Sequence, residues 1–69
     1  MPKGLNAAAR EVIRGMIMAG ESGEAVRDMI DRLVDSYGWD FPKNLQFVRE
    51  LAANGYSETA RHLARKISD

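Results

Sequence analysis

Residues 22–38 read Ser22-Gly23-Glu24-Ala25-Val26-Arg27-Asp28-Met29-Ile30-Asp31-Arg32-Leu33-Val34-Asp35-Ser36-Tyr37-Gly38. Val26, Met29, Ile30, Leu33, Val34 and Tyr37 recur at intervals of three and four, the stripe of an amphipathic helix. Ser22 is a good N-cap and Gly38 the expected stop, so the spacing predicts a helix over 23–37. The opposite face carries Glu24, Asp28, Asp31, Arg32 and Asp35, with Asp28 and Arg32 in the favourable i, i+4 order.

The same period continues on both sides. Upstream, Leu5, Ala8, Ala9, Val12, Ile13, Met16 and Ile17 predict a helix over 5–19, ended by Gly20. Gly15 lies inside it and costs about 1 kcal/mol relative to Ala, so its expected use is close approach by another helix. Downstream, Asp40 suits an N-cap and Pro42 falls in the first turn of a helix over 41–54. Leu45, Val48, Leu51 and Ala52 form its expected core face, with Phe47 beside them. Asn54-Gly55 stops it, and Tyr56 is expected to fold back on Leu51 in a Schellman stop. Ser57 is the expected cap of a last helix over 58–67, striped by Ala60, Leu63, Ala64 and Ile67. No segment alternates with the two-residue period of a strand. The expectation is all-α: a single domain over 1–69, folded as a small four-helix bundle of short antiparallel helices.

Sixty-nine residues leave room for one small core, and the absence of cysteine excludes disulfides and thiolate metal sites. No apolar run reaches signal-peptide or membrane-span length, and the cytoplasm is the expected compartment. Ten Lys+Arg balance ten Asp+Glu, which disfavours bulk attachment to polyanions. The balance is uneven along the chain. Residues 1–20 carry +2, residues 21–40 carry −4 and residues 41–69 carry +2.

Signatures of catalysis are missing: there is one histidine, no nucleophile elbow, no phosphate-cradling loop and no His-Glu-x-x-His. Glu11 and Glu50 fall on separate helices, with nothing to pair them as acid and base. The expectation is a chain that is not an enzyme and has no catalytic residue, metal site or cofactor. Candidate partner-binding residues are an acidic face of Glu24, Asp28, Asp31 and Asp35 and a basic face of Arg61, His62, Arg65 and Lys66. The acidic face of one copy is expected to meet the basic face of another, or of a protein partner, by charge complementarity. Trp39 and Phe41 flank Asp40 in a connector, where they either plug the bundle end or stand out as an aromatic anchor. Met16 and Met29 fit the core, whereas Met18 falls off the stripe.

Residues 47–63 contain Phe47, Leu51, Asn54-Gly55-Tyr56, Thr59-Ala60 and Leu63 in order. This pattern resembles the LisH motif, a short helical hairpin. The resemblance implies dimerisation through paired hairpins and an adaptor role. Glu50 stands where the family often has an aromatic, and the match covers about a quarter of the chain.

The expected function is a non-catalytic protein–protein interaction module: a dimerisation unit, an adaptor, or a small regulator or inhibitor of a larger macromolecule. The alternative is a helix-turn-helix-like DNA-binding regulator that uses the basic last helix, since a helix, a tight turn and a basic helix share that outline. Aligning Gly55 with the usual turn glycine, however, puts Asn54 and Arg61 where apolar residues belong. Nucleic acid is therefore the lesser expectation, and no membrane partner is expected.

Overall fold

The computed structural model describes residues 3–37 and 40–68. Four helices follow one another: α1 (Ala7–Met18), α2 (Gly23–Leu33), α3 (Phe41–Ala53) and α4 (Ser57–Ser68). Capping chemistry sets most of their ends. Asn6 accepts from the Ala9 amide, Ser22 from Ala25 and Asp40 from Lys43. Pro42 occupies the first turn of α3, where its missing N–H leaves nothing unpaired.

Two Schellman stops close the hairpins. Gly20 has φ +75°, with Glu21 N–H donating to Met16 O and Gly20 N–H to Ile17 O. Gly55 has φ +89°, with Tyr56 N–H donating to Leu51 O and Gly55 N–H to Ala52 O. Both turns reverse the chain, giving the antiparallel hairpins α1–α2 and α3–α4. Between hairpins the helices run in the same sense. Gly23 pairs with Thr59 and Asp31 with His62, while Leu5 pairs with Asn44 and Arg14 with Glu50. The first two contacts set α2 beside α4, while Leu5 ties the segment before α1 to α3 and Arg14 reaches from α1 to α3.

The core takes residues from every helix: Ala9, Ile13, Val26, Ile30, Phe47, Leu51, Ala60, Leu63 and Ile67, together with Leu5 ahead of α1. Met16, Ile17, Met29, Leu33, Val34, Val48 and Tyr56 pack around it, partly buried. The most extensive helix contact is α3 on α4.

Several sequence expectations need correction. α2 ends at Leu33, four residues early, because Val34 turns extended and Asp35 pairs with Gly4 in an isolated antiparallel bridge. Both bridge hydrogen bonds, Gly4 N–H to Asp35 O and Asp35 N–H to Gly4 O, are 3.0 Å. Tyr37 consequently leaves the stripe and is exposed, and the expected stop at Gly38 lies outside the described residues. α1 begins at Ala7, so Leu5 belongs to an extended strap and not to the helix. Ser57 is the first residue of α4 instead of its cap. No helix approaches Gly15, since a Cβ built there meets nothing within 4 Å.

The largest correction concerns α3. Its buried residues are Asn44, Phe47 and Leu51, whereas Leu45 and Ala52 are exposed. Asn44 turns the helix by anchoring the strap. Its Oδ1 accepts from Leu5 N–H at 2.8 Å, and its Nδ2 donates to Leu5 O at 3.0 Å and to Asp40 O at 2.9 Å. Arg10, 6% exposed, adds a donor from Nη1 to Leu5 O at 2.8 Å. The peptide of Leu5 is thus satisfied by side chains deep in an apolar region, where unmet polar groups are costly.

Candidate functional site

The charged residues singled out from sequence do not form two opposed faces. Asp31 on α2 reaches across to α4, where His62 Nε2 lies 2.6 Å and Lys66 Nζ 3.6 Å from Oδ1. Its pKa falls below the ordinary carboxylate value, first through the hydrogen bond with His62 and then through its charge and that of Lys66, against some desolvation. An acid from the predicted acidic face and two members of the predicted basic face are therefore joined within one molecule. Asp35 is separated from the others by the end of α2, and its carboxylate accepts from Tyr37 N–H at 2.9 Å. Glu24 and Asp28 stay exposed on α2.

Arg61 and Arg65 remain on the outside of α4, joined by Arg27 of α2, a residue that sequence reasoning left out. Together with His62 and Glu58 they line a recess of about 170 Å³ between the two helices. Beside it lies a wider open cleft of about 660 Å³ where the first turns of α2 and α4 meet, lined by Glu21, Glu24, Glu58 and Tyr56 among others. Tyr56 Oη donates to Glu21 O at 2.6 Å and Thr59 Oγ1 to Gly23 O at 3.2 Å, fixing that end. The signal that could have exposed Arg27 is its distance of one turn from Asp31, which fixes it on the same side of α2.

Arg14 forms a second cluster. Its guanidinium grips Glu50 with Nε at 2.8 Å and Nη2 at 3.1 Å, and it meets Glu11 at 2.6 Å. It also lies 5.1 Å from the centre of the Phe47 ring. The Glu50 hydrogen bonds chiefly, with Glu11 behind them and burial opposing, raise the Arg14 pKa. Glu11 and Glu50, on separate helices in the sequence reading, are brought to one arginine that pairs with both.

Phe41 opens α3 with 44% of its surface exposed, and Leu45 follows one turn later at 37%. Val48 is half-buried and Ala52 exposed. Positions 41, 45, 48 and 52 share one side of a helix, beside the core-facing side. α3 thus carries two apolar faces. Lys43 and Arg49 are exposed on the same helix, and its one acid, Glu50, is already held by Arg14. Trp39, the other half of the expected aromatic anchor, lies outside the described residues. Among the described residues, no group of three or more His, Cys, Asp or Glu side chains is placed to hold a metal ion. No described helix is long and apolar enough to cross a membrane.

Comparison with family models, with curated proteins and with solved structures returns no match to this chain.

Proposed function

We propose that this chain is a non-catalytic helical interaction module whose α3 outer face docks an acidic, amphipathic segment of a partner protein. The observation that carries the reading is the second apolar face of α3, formed by Phe41 and Leu45 with Val48 and Ala52. A helix in a bundle needs one apolar face, and Phe47 and Leu51 already supply it. The charges of α3 choose the partner. Arg49 is exposed next to Val48 and flanks this face, whereas Lys43 lies on the far side of the helix, 3.8 Å from Asp40, so the docking face carries one arginine beside its apolar anchors. The resemblance of residues 47–63 to the LisH hairpin supports an interaction role, with a second copy as the partner it implies. A second copy is a weaker partner for this face, because Asp31 of the acidic helix is already paired with His62 and Lys66.

The test compares wild type with a Phe41→Ser/Leu45→Ser double variant. Both side chains are exposed, so the variant is expected to keep its circular dichroism spectrum. A tagged wild-type chain is expected to retain a partner from its native source that the double variant releases and Arg49→Glu weakens. Equal retention by wild type and double variant refutes the α3 face. Sedimentation at low and high salt separates a second copy from another protein.

The duplex-DNA reading keeps one supporting observation, the clustering of Arg27 with Arg61 and Arg65. It requires salt-dependent duplex binding that Arg61→Ala or Arg65→Ala weakens.

A further inference from the structure

We propose that the recess between α2 and α4 is an oxyanion-binding site in which Arg27, Arg61 and Arg65 hold a phosphate group. The site is independent of the α3 face. Arg27 comes from α2, and Arg61 and Arg65 lie one turn apart on α4. The contacts of Gly23 with Thr59 and of Asp31 with His62 hold the two helices in the register that brings the three arginines to one recess.

Among the described residues, the positive charge in this recess is only partly offset. Among the described residues, none of the three arginines lies within ion-pair distance of a carboxylate. Acids at helical spacing are present. Arg27 has Glu24 three positions before it and Asp31 four after, and Arg61 has Glu58 three before. Such neighbours ordinarily pair along a helix. Here Asp31 is turned to His62 and Lys66 instead, which takes one helically spaced α2 acid away from Arg27. Glu58 lines the recess and is its one carboxylate, against three guanidinium groups. A concave surface of one dominant sign concentrates the field for a counter-ion.

The type of cation narrows the ligand. All three are arginine, whose planar fork donates two parallel N–H bonds to a tetrahedral or planar oxyanion. The volume of about 170 Å³ holds several waters at roughly 30 Å³ each, enough for one phosphate with part of its hydration. Glu58 sets the limit on affinity, since it repels the anion from one wall.

The test uses inorganic phosphate and pyrophosphate, titrated into the full chain against chloride at matched ionic strength. Arginine Nε–H resonances and the thermal midpoint are followed. The expected result is a saturable shift of the Arg27, Arg61 and Arg65 signals, with Arg49 on α3 unmoved. Arg61→Gln and Arg65→Gln are each expected to weaken pyrophosphate about tenfold, the effect of losing one charge-assisted hydrogen-bonding group. Glu58→Gln is expected to tighten it. All three substituted residues are exposed, so these variants leave the core untouched. The proposal is overturned by no saturable shift at tens of millimolar phosphate, or by equal shifts at Arg49, which mark diffuse screening. Duplex DNA binding that depends on Arg61 and Arg65 while neither phosphate nor pyrophosphate binds overturns it too. None of these results bears on the Phe41 and Leu45 test.

Discussion

Replacing Asn44 by leucine tests the feature that orders the whole bundle. The side chain is fully buried and makes three hydrogen bonds, two of them to the peptide groups of Leu5. Their loss is not equal. Leu5 O still accepts from Arg10, and Asp40 O still accepts from the backbone N–H of residue 44 at 3.0 Å. Leu5 N–H has no other acceptor and is left unpaired in the core, at a cost of about 1–3 kcal/mol. A chain of 69 residues has roughly 3–10 kcal/mol of stability in total, so the loss is a large fraction. Urea unfolding followed by circular dichroism is expected to show a lower midpoint with an unchanged slope. The thermal midpoint is expected to fall by about 4–8 °C for each kcal/mol. Gln46→Leu, on the exposed side of the same helix, is the control and is expected to stay within about 0.5 kcal/mol. If Asn44→Leu unfolds at the wild-type midpoint or above it, leucine burial outweighs the lost donor, and Asn44 does not anchor the strap.

Other outcomes follow from the same structure. Gly15→Ala is expected to stabilise α1 by about 1 kcal/mol in thermal melts, because the position is helical and open; a loss of stability contradicts the empty surroundings. Gly55→Ala is expected to cost about 1–2 kcal/mol in the same assay through its positive φ, with space available for the methyl group. Arg14→Ala is expected to cost about 1 kcal/mol, less at high salt, since the Glu50 fork is partly exposed and Phe47 adds a cation–π contact. Asp31→Asn tests the α2–α4 bridge by pH. The lowered Asp31 pKa stabilises the fold above the ordinary carboxylate value of 3.8, and this contribution is lost as pH falls through the lower folded value. Wild type and variant are therefore expected to differ near neutrality and to converge in acid.

The helices were legible because their signals are local. Ser22, Asp40 with Pro42, Gly20 and Gly55 each act on a backbone group within a turn, and each does what its type implies. The end of α2 was illegible for the opposite reason. Nothing in Val34-Asp35-Ser36-Tyr37 forbids a helix, and the bridge to Gly4, far away in sequence, ends it. The face of α3 failed similarly. The apolar stripe does not include Asn44, whereas the Leu5 peptide needs a partner and holds Asn44 inward, leaving Leu45 outside. The charged residues were identifiable by type, but their partners were not. Asp31 paired across helices with His62, which left Arg27 free to join Arg61 and Arg65.

The strap formed by Gly4 and Leu5 also shapes how the molecule opens. Each hairpin closes across a turn of a few residues, so it can form early and at little entropic expense. The Leu5–Asn44 clamp spans 39 positions, and the Gly4–Asp35 bridge spans nearly as many. The bridge ties the strap to the end of α2 within the first hairpin, and the clamp ties the same strap to the start of α3 in the second. Releasing them leaves both hairpins intact and still joined by the α2–α4 contacts and the core. The amides of Gly4, Leu5 and Asp35 thus form a separate opening unit, in which the last step of assembly is the first to reverse.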